Sequence, residues 1–317
     1  MKLLGMAGVL LLSPLIPGCR PAPGTADLYF GQDPPGDTPV VFAPGIISKT
    51  ARFEQFLLYA PDGHEVMFGV TNAEWSAFSI LSTTWQDGSW SAPHAASFLG
   101  SGDSSALTAA LSFDGRVALF TSSRPTYPPA DIWMSTRVDA GWTEPTKVGP
   151  PISSAADEFE VAIARNGTIY FSSKRDGGLG DLDIYRARLV NGAYPAAENL
   201  GPPINTEAGD DLPYIAPDES YLIFASDRPG GLGNRDLYVS FSAGGTWTDP
   251  QSLGRPINSE EWDIYPSVSP DGKYFFFTRR TAWHATEDSD IYWVSAAFIE
   301  RLRRRAHERL TPSSAAR

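Results

Sequence analysis

Apolar and polar residues alternate with a period of two along most of this chain, in short runs broken by turn residues. The stretch 210–254 shows the pattern plainly. It holds four runs in order: DLPYIA, SYLIFAS, DLYVSFS and TWTDPQSLG. Each is short, β-branched or aromatic at alternate positions, and bounded by Gly, Pro, Asp or Asn, which predicts strands. An Asx-containing turn between the first two predicts a tight hairpin. Helical periodicity appears only at the C-terminus, in FIERLRRRAHERL.

The pattern repeats. Turn anchors stand at Asp62-Gly63, Asp114-Gly115, Asn166-Gly167, Asp218-Glu219 and Asp271-Gly272, in steps of 52, 52, 52 and 53 residues. Trp90, Trp142, Tyr194 and Trp247 follow the same period, and so do the strand-opening Asp131, Asp183, Asp236 and Asp290. Three series with one period of about 50 residues and four strands per unit predict a β-propeller. One such sheet leaves both faces uncovered, and sheets packed around an axis cover each other. The expected fold is all-β: five four-stranded blades, then a short C-terminal helix. The fifth unit lacks its outer strand. The N-terminal run GDTPVVFAPGIIS resembles that strand and is expected to pair into the last blade and close the ring. Six blades are the alternative, if residues 26–36 add strands.

Composition adds compartment and partner class. The 29 glycines and 27 prolines among 317 residues favour turns. A net charge of −12 disfavours nucleic acid as a partner. The N-terminus MKLLGMAGVLLLSPLIPGC has one lysine and then an apolar run too short to span a bilayer, as in a secretory signal. The sole cysteine, Cys19, follows at once and resembles the lipidated cysteine of bacterial lipoproteins. The expected organisation is a signal peptide over 1–18, a lipidated tether over 19–27, the propeller over 28–299, and a C-terminal helix and tail over 300–317. The protein is expected to be exported, to sit on the periplasmic side of the envelope through its lipid anchor, and to be a monomer.

Counting back eight residues from each turn anchor reaches the innermost strand at Glu54, Ala106, Glu158, Asp210 and Asp263. The four acids are expected to form a collar around the channel, deepened by Asp157, Glu160, Asp211, Glu260 and Glu261. Such a collar is a candidate site for a hard cation such as Ca2+, or for a ligand carrying lysine or arginine. The competing reading is structural, with each acid taken up by backbone N–H groups or a neighbouring arginine. A pair of these acids at a suitable separation would serve glycoside hydrolysis. In the RDGGLGD and RPGGLGN loops the glycines are expected to supply positive φ. Arg124 is expected to pair with Asp131, Arg175 with Asp183 and Arg228 with Asp236. The four histidines show no ligand spacing.

The segments SPDGKYFFFTRR, APDESYLIFASDRPGGLG and RDLYVS resemble the TolB-like PD40 (WD40-like β-propeller repeat) family. YFGQDPPGDTPVVFAPGIIS resembles the opening of its bacterial exported members. The resemblance runs from about Leu28 to Glu300. It implies a propeller of the cell envelope that binds proteins or gates a peptidase. No GxSxG elbow is present to support a serine hydrolase. The functional expectation is non-catalytic binding of an envelope protein, small molecule or carbohydrate at the channel mouth or loop face, with glycoside hydrolysis as the alternative.

Overall fold

The computed structural model describes residues 25–50, 52–72, 77–100, 105–123, 130–139, 141–281 and 289–310. Cys19, Arg124 and His284 lie outside them.

The alternating runs form antiparallel strands grouped as the repeat predicts. The innermost strands are Phe53–Tyr59, Ala106–Leu111, Glu158–Ile163, Asp210–Ile215 and Trp262–Val268. Each pairs with the strand after its turn, and that strand pairs with a third. The turn anchors have one mechanism. Asp62, Asp114, Asn166, Asp218 and Asp271 each accept the N–H of the residue two places on, at 2.9–3.1 Å. The residue between them has a positive φ, which glycine tolerates at four of the five turns. At the fourth turn, the exception, Glu219 has φ 58°. Its carboxylate accepts from Asn166 Nδ2 and from the Tyr170 hydroxyl, both at 2.6 Å, across the sheet boundary.

The expected single outer strand is split. In the fourth group Thr246–Trp247 and Gln251–Ser252 both pair with Asp236–Ala243, and Pro250 interrupts them. Pro93 and Pro145 stand at the same break in the first and second groups. Proline has no N–H for the ladder.

The N-terminal segment completes the fifth group. Val40 and Val41 pair antiparallel with Trp293 and Tyr292. Phe42 N–H donates to Ile291 O at 2.8 Å. Val40–Val41 is the only strand before Phe53 among the described residues, so none is seen there to build a sixth group. The first and fifth groups also meet edge to edge through the parallel pair Phe53↔Ser289.

The core is distributed between sheets. Phe56, Met67 and Ile80 pack on Phe98 and Phe120. Leu119 and Ile132 pack on Ile169 and Phe171. Tyr170 and Ile184 pack on Leu222 and Phe224. Ile223 and Val239 pack on Phe275 and Phe277. Phe276, Ile291 and Trp293 pack on Leu57, Val66 and Phe68, with Phe42 among them. Each apolar cluster joins consecutive groups, and the last returns to the first. This is an all-β, propeller-like architecture, with inner strands lying side by side around a common channel.

The C-terminal helix, Ala297–Leu310, starts slightly before the expected boundary. It buries Phe298, Ile299 and Ala306 against the fourth and fifth groups. Arg303 lies over the rings of Tyr221 and Phe241. Its outer face carries Arg301, Arg304 and Arg305.

Candidate functional site

The four repeat-spaced acids occupy equivalent places, as the count predicts. They do not form a channel collar. Glu54, Glu158, Asp210 and Asp263 have fully buried side chains and line neither cavity of the channel. Glu158 accepts Ser154 N–H at 2.9 Å, the Ser173 hydroxyl at 3.1 Å and Arg175 at 3.0 Å. Asp210 accepts Thr206 N–H at 2.7 Å, Ser226 at 2.6 Å and Arg228 at 2.6 Å. Asp263 accepts Ser259 N–H at 2.6 Å and Arg279 at 2.7 Å. Glu54 takes Arg52 at 2.6 Å.

Each arginine extends the tie. Arg175 also donates to Pro151 O and Ile152 O, Arg228 to Ile204 O, and Arg279 to Pro256 O and Ile257 O. Their guanidinium groups lie about 5 Å from paired aromatic rings: Phe171 and Tyr185, Phe224 and Tyr238, Phe277 and Tyr292. A carboxylate met by charged and backbone donors is a structural tie. Taking up a cation there would mean expelling the guanidinium. Enclosed acids of this kind also offer no open acid–base pair for glycoside cleavage. Burial pushes the Glu54 carboxyl up to about 7, with Arg52 opposing. It raises Asp263 as well, against Arg279.

Two of the three expected pairs with strand-opening aspartates are therefore corrected, and the third, Arg124 with Asp131, lies outside the described residues. Arg175 and Arg228 pair with Glu158 and Asp210, not with Asp183 and Asp236. Asp183 accepts Leu179 N–H at 2.6 Å, Gly180 N–H at 3.2 Å and Asn199 Nδ2 at 2.7 Å. Asp236 accepts Leu232 and Gly233 N–H in the same way. Asp131 takes Lys147 at 2.6 Å. Positive φ is found at Gly177 and Gly230. Gly180 and Gly233 serve close approach instead: a Cβ would stand 2.0 Å from Ala208 O and 2.1 Å from Glu261 O.

What faces the channel is set by a bulge. Every innermost strand breaks register just past the predicted position, between Glu54 and Leu57, Ala106 and Ala109, Phe159 and Val161, Asp211 and Tyr214, and Ile264 and Ser267. A bulge re-aims the side chains beside it. Gln55, Leu107, Phe159, Asp211 and Ile264 thus line a cavity of about 690 Å³ at one mouth. An apolar cavity of about 210 Å³ opens at the other. Glu160, Leu212 and Tyr265 line both and mark the constriction between them. Leu212 and Tyr265 have φ of 55° and 53° there, a strained region for such side chains.

Four of the buried polar atoms that find no partner among the described residues belong to residues lining the wide cavity. Asp211, 4% exposed, pairs through Oδ2 with Arg235 at 3.0 Å. Asp211 Oδ1, Arg235 Nε, Gln55 Oε1 and Glu160 Oε2 are buried with no hydrogen-bond partner among the described residues. Gly209 makes room for the arginine, since a Cβ would lie 2.7 Å from its terminal nitrogen. Burial pushes Glu160 up to about 8, with the Asp211 charge adding and Arg235 opposing. Burial raises Asp211 to about 6 against Arg235. Trp262, Phe78 and Phe159 supply aromatic wall, and Lys174 pairs with Asp181 at 3.1 Å.

Of the five acids expected to deepen the collar, Glu160 and Asp211 reach this cavity. Asp157 accepts Ala130 N–H at 2.8 Å, and Glu260 pairs with Arg255 at 3.1 Å. Gln55, Arg235 and Trp262 were missed. Among the described residues no group of His, Cys, Asp and Glu is arranged to hold a metal ion, and no helix is long and apolar enough to cross a membrane.

No family model and no curated protein matches the chain. Solved structures do. The alpha-L-arabinofuranosidase of Lactobacillus brevis is 14% identical, with a TM-score of 0.50 over 76% of this chain and 90% of its own. TolB of Acinetobacter baumannii is 15% identical, with a TM-score of 0.47 over 77% of this chain. A TolB-like structure from Agrobacterium tumefaciens is 15% identical, with a TM-score of 0.49 over 73% of this chain and 72% of its own. The chain spans 57% of the length of the A. baumannii protein. The likeness is one of fold. This chain is a β-propeller-like protein.

Proposed function

We propose that the protein is a non-catalytic, five-bladed propeller of the cell envelope that binds a ligand in the wide mouth of its central channel. The observation that carries this reading is the contrast between two sets of buried polar groups. Glu158, Asp210 and Asp263 are saturated by arginine, hydroxyl and backbone donors, and Glu54 keeps one unmatched oxygen, Oε2. The bulge-borne Gln55, Glu160 and Asp211, with Arg235, leave polar atoms unmatched toward the cavity. Water entering the mouth meets these atoms in the free protein, and a ligand that displaces it must match them or lose about 1–3 kcal/mol for each one left unpaired. The volume falls within the range of small-molecule sites, about 300–1,000 Å³.

The envelope location and the lipid anchor at Cys19 rest on the leader sequence. Labelling with radioactive palmitate in a bacterial host tests the anchor, and Cys19→Ser should abolish the label.

The channel is tested by obstruction. The Leu107 side chain lines the cavity and carries no polar atom, so Leu107→Trp narrows the mouth without removing a polar group. The protein lacking residues 1–24 is incubated with a bacterial small-molecule extract, washed and denatured, and the released compounds are identified by mass spectrometry. At least one compound retained by the parent protein and lost from Leu107→Trp is expected. Equal retention by the two proteins contradicts the reading.

A further inference from the structure

We infer that the ligand of the wide channel mouth is a neutral polyhydroxylated ring, a mono- or oligosaccharide, held by Gln55, Asp211 and Arg235 against an aromatic wall. The inference rests on the channel reading and names its ligand class.

The unmatched atoms differ in kind. Gln55 Oε1 and Asp211 Oδ1 only accept hydrogen bonds, and Arg235 Nε–H only donates. Asp211 and Arg235 are held together by their own ion pair at 3.0 Å, so a fixed acceptor and a fixed donor stand side by side. A hydroxyl both donates and accepts. Two neighbouring hydroxyls on a ring satisfy such a pair together, one donating to Asp211 Oδ1 and the next accepting from Arg235. Gln55 stands on a different innermost strand and takes a third donor. Glu160, at the floor, carries the fourth unmatched oxygen.

Other ligand classes fit less well. Arg235 and Lys174 line the same cavity and oppose a metal cation or an ammonium group. Asp211 and Asp181 oppose an anion such as phosphate. A wholly apolar ligand would bury all four polar atoms without partners, which is costly. Trp262, Phe78 and Phe159 give the wall large apolar surface suited to the C–H face of a sugar ring.

The test is a binding panel on the protein lacking residues 1–24, read by melting temperature and by intrinsic tryptophan fluorescence. The probes are glucose, galactose, arabinose, N-acetylglucosamine and their β-linked di- and trisaccharides, with CaCl₂, inorganic phosphate and a Lys-Ala-Ala tripeptide as charged comparators. Saturable binding of at least one saccharide is expected, with no response to the comparators. Gln55→Leu and Asp211→Asn should each weaken it by about tenfold to a hundredfold. Leu107→Trp, which keeps every polar group, should weaken it even if Asp211→Asn fails to fold. Binding of a charged comparator alone, lost in Leu107→Trp, overturns the sugar assignment and leaves the channel reading standing. Saccharide binding of unchanged affinity in Leu107→Trp overturns the channel reading. Failure of every saccharide to bind overturns the inference.

Discussion

Arg228 meets Asp210 at 2.6 Å at the inner edge of the fourth sheet, and not Asp236, which opens the third strand of that sheet. Arg175 repeats the relationship with Glu158, and Arg279 repeats it with Asp263. In each case one guanidinium ties an innermost-strand carboxylate to carbonyls of the preceding connection and lies near two aromatic rings. The repeated acids thus hold sheets to their connections, and the channel is furnished by the residues that follow them.

Removing one partner of such a tie leaves a buried charge. Arg228→Ala is expected to destabilise the fold by about 3–5 kcal/mol. Asp236→Ala should cost about 1–3 kcal/mol, because it frees loop N–H groups but strands no guanidinium. Urea unfolding of both variants checks the order. A larger loss in Asp236→Ala would restore the pairing expected from sequence.

Glu160 gives the channel a pH signature. Its pKa rises from an ordinary 4.5 to about 8 in the fold, because burial disfavours the charged form. The folded state therefore holds a proton that the unfolded chain releases. The resulting stability is fully present below about pH 4.5 and is lost as pH rises through about 8. Glu160→Gln should match the parent at pH 4.5 and exceed it at pH 8.5. The gain should be on the order of 2 kcal/mol, less than the full shift implies because water enters the open mouth. Melting curves across this range check it, and equal curves at pH 8.5 contradict it.

Closure by the N-terminal segment is testable by truncation. Phe42 is fully buried, with ring centroids 5.0 Å from Phe276 and 5.2 Å from Trp293. Phe42→Ala should cost about 3–5 kcal/mol, and deletion through Phe42 should cost more. Calorimetry showing no loss on deletion would remove the segment from the ring.

Much of the fold is legible in the spacing of the residues. The Asx turns, the alternating strands and the returning N-terminal strand all follow from local rules that repeat with the unit. The locations of Glu54, Glu158, Asp210 and Asp263 are legible too. Their direction is not, because the repeat spacing places a residue on a strand without saying which face it takes, and a bulge follows each acid. One extra residue sends Glu158 inward to Arg175 while the channel receives Phe159 and Glu160. Arg235 was missed for another reason. It lies outside the innermost strands, and its partner Asp211 comes from a distant part of the unit. The available signal was that Gln55, Glu160 and Asp211 break the apolar character of strands otherwise built for burial.

The central claim is that ligand is held by the bulge-borne residues and not by the acids that precede them. The most direct measurement is the Kd of a retained ligand in Gln55→Leu and in Glu158→Gln, each corrected for its folded fraction. The account predicts weakening of about tenfold or more in Gln55→Leu and an unchanged Kd in Glu158→Gln despite its lower stability. An unchanged Kd in Gln55→Leu with lost affinity in Glu158→Gln would contradict it.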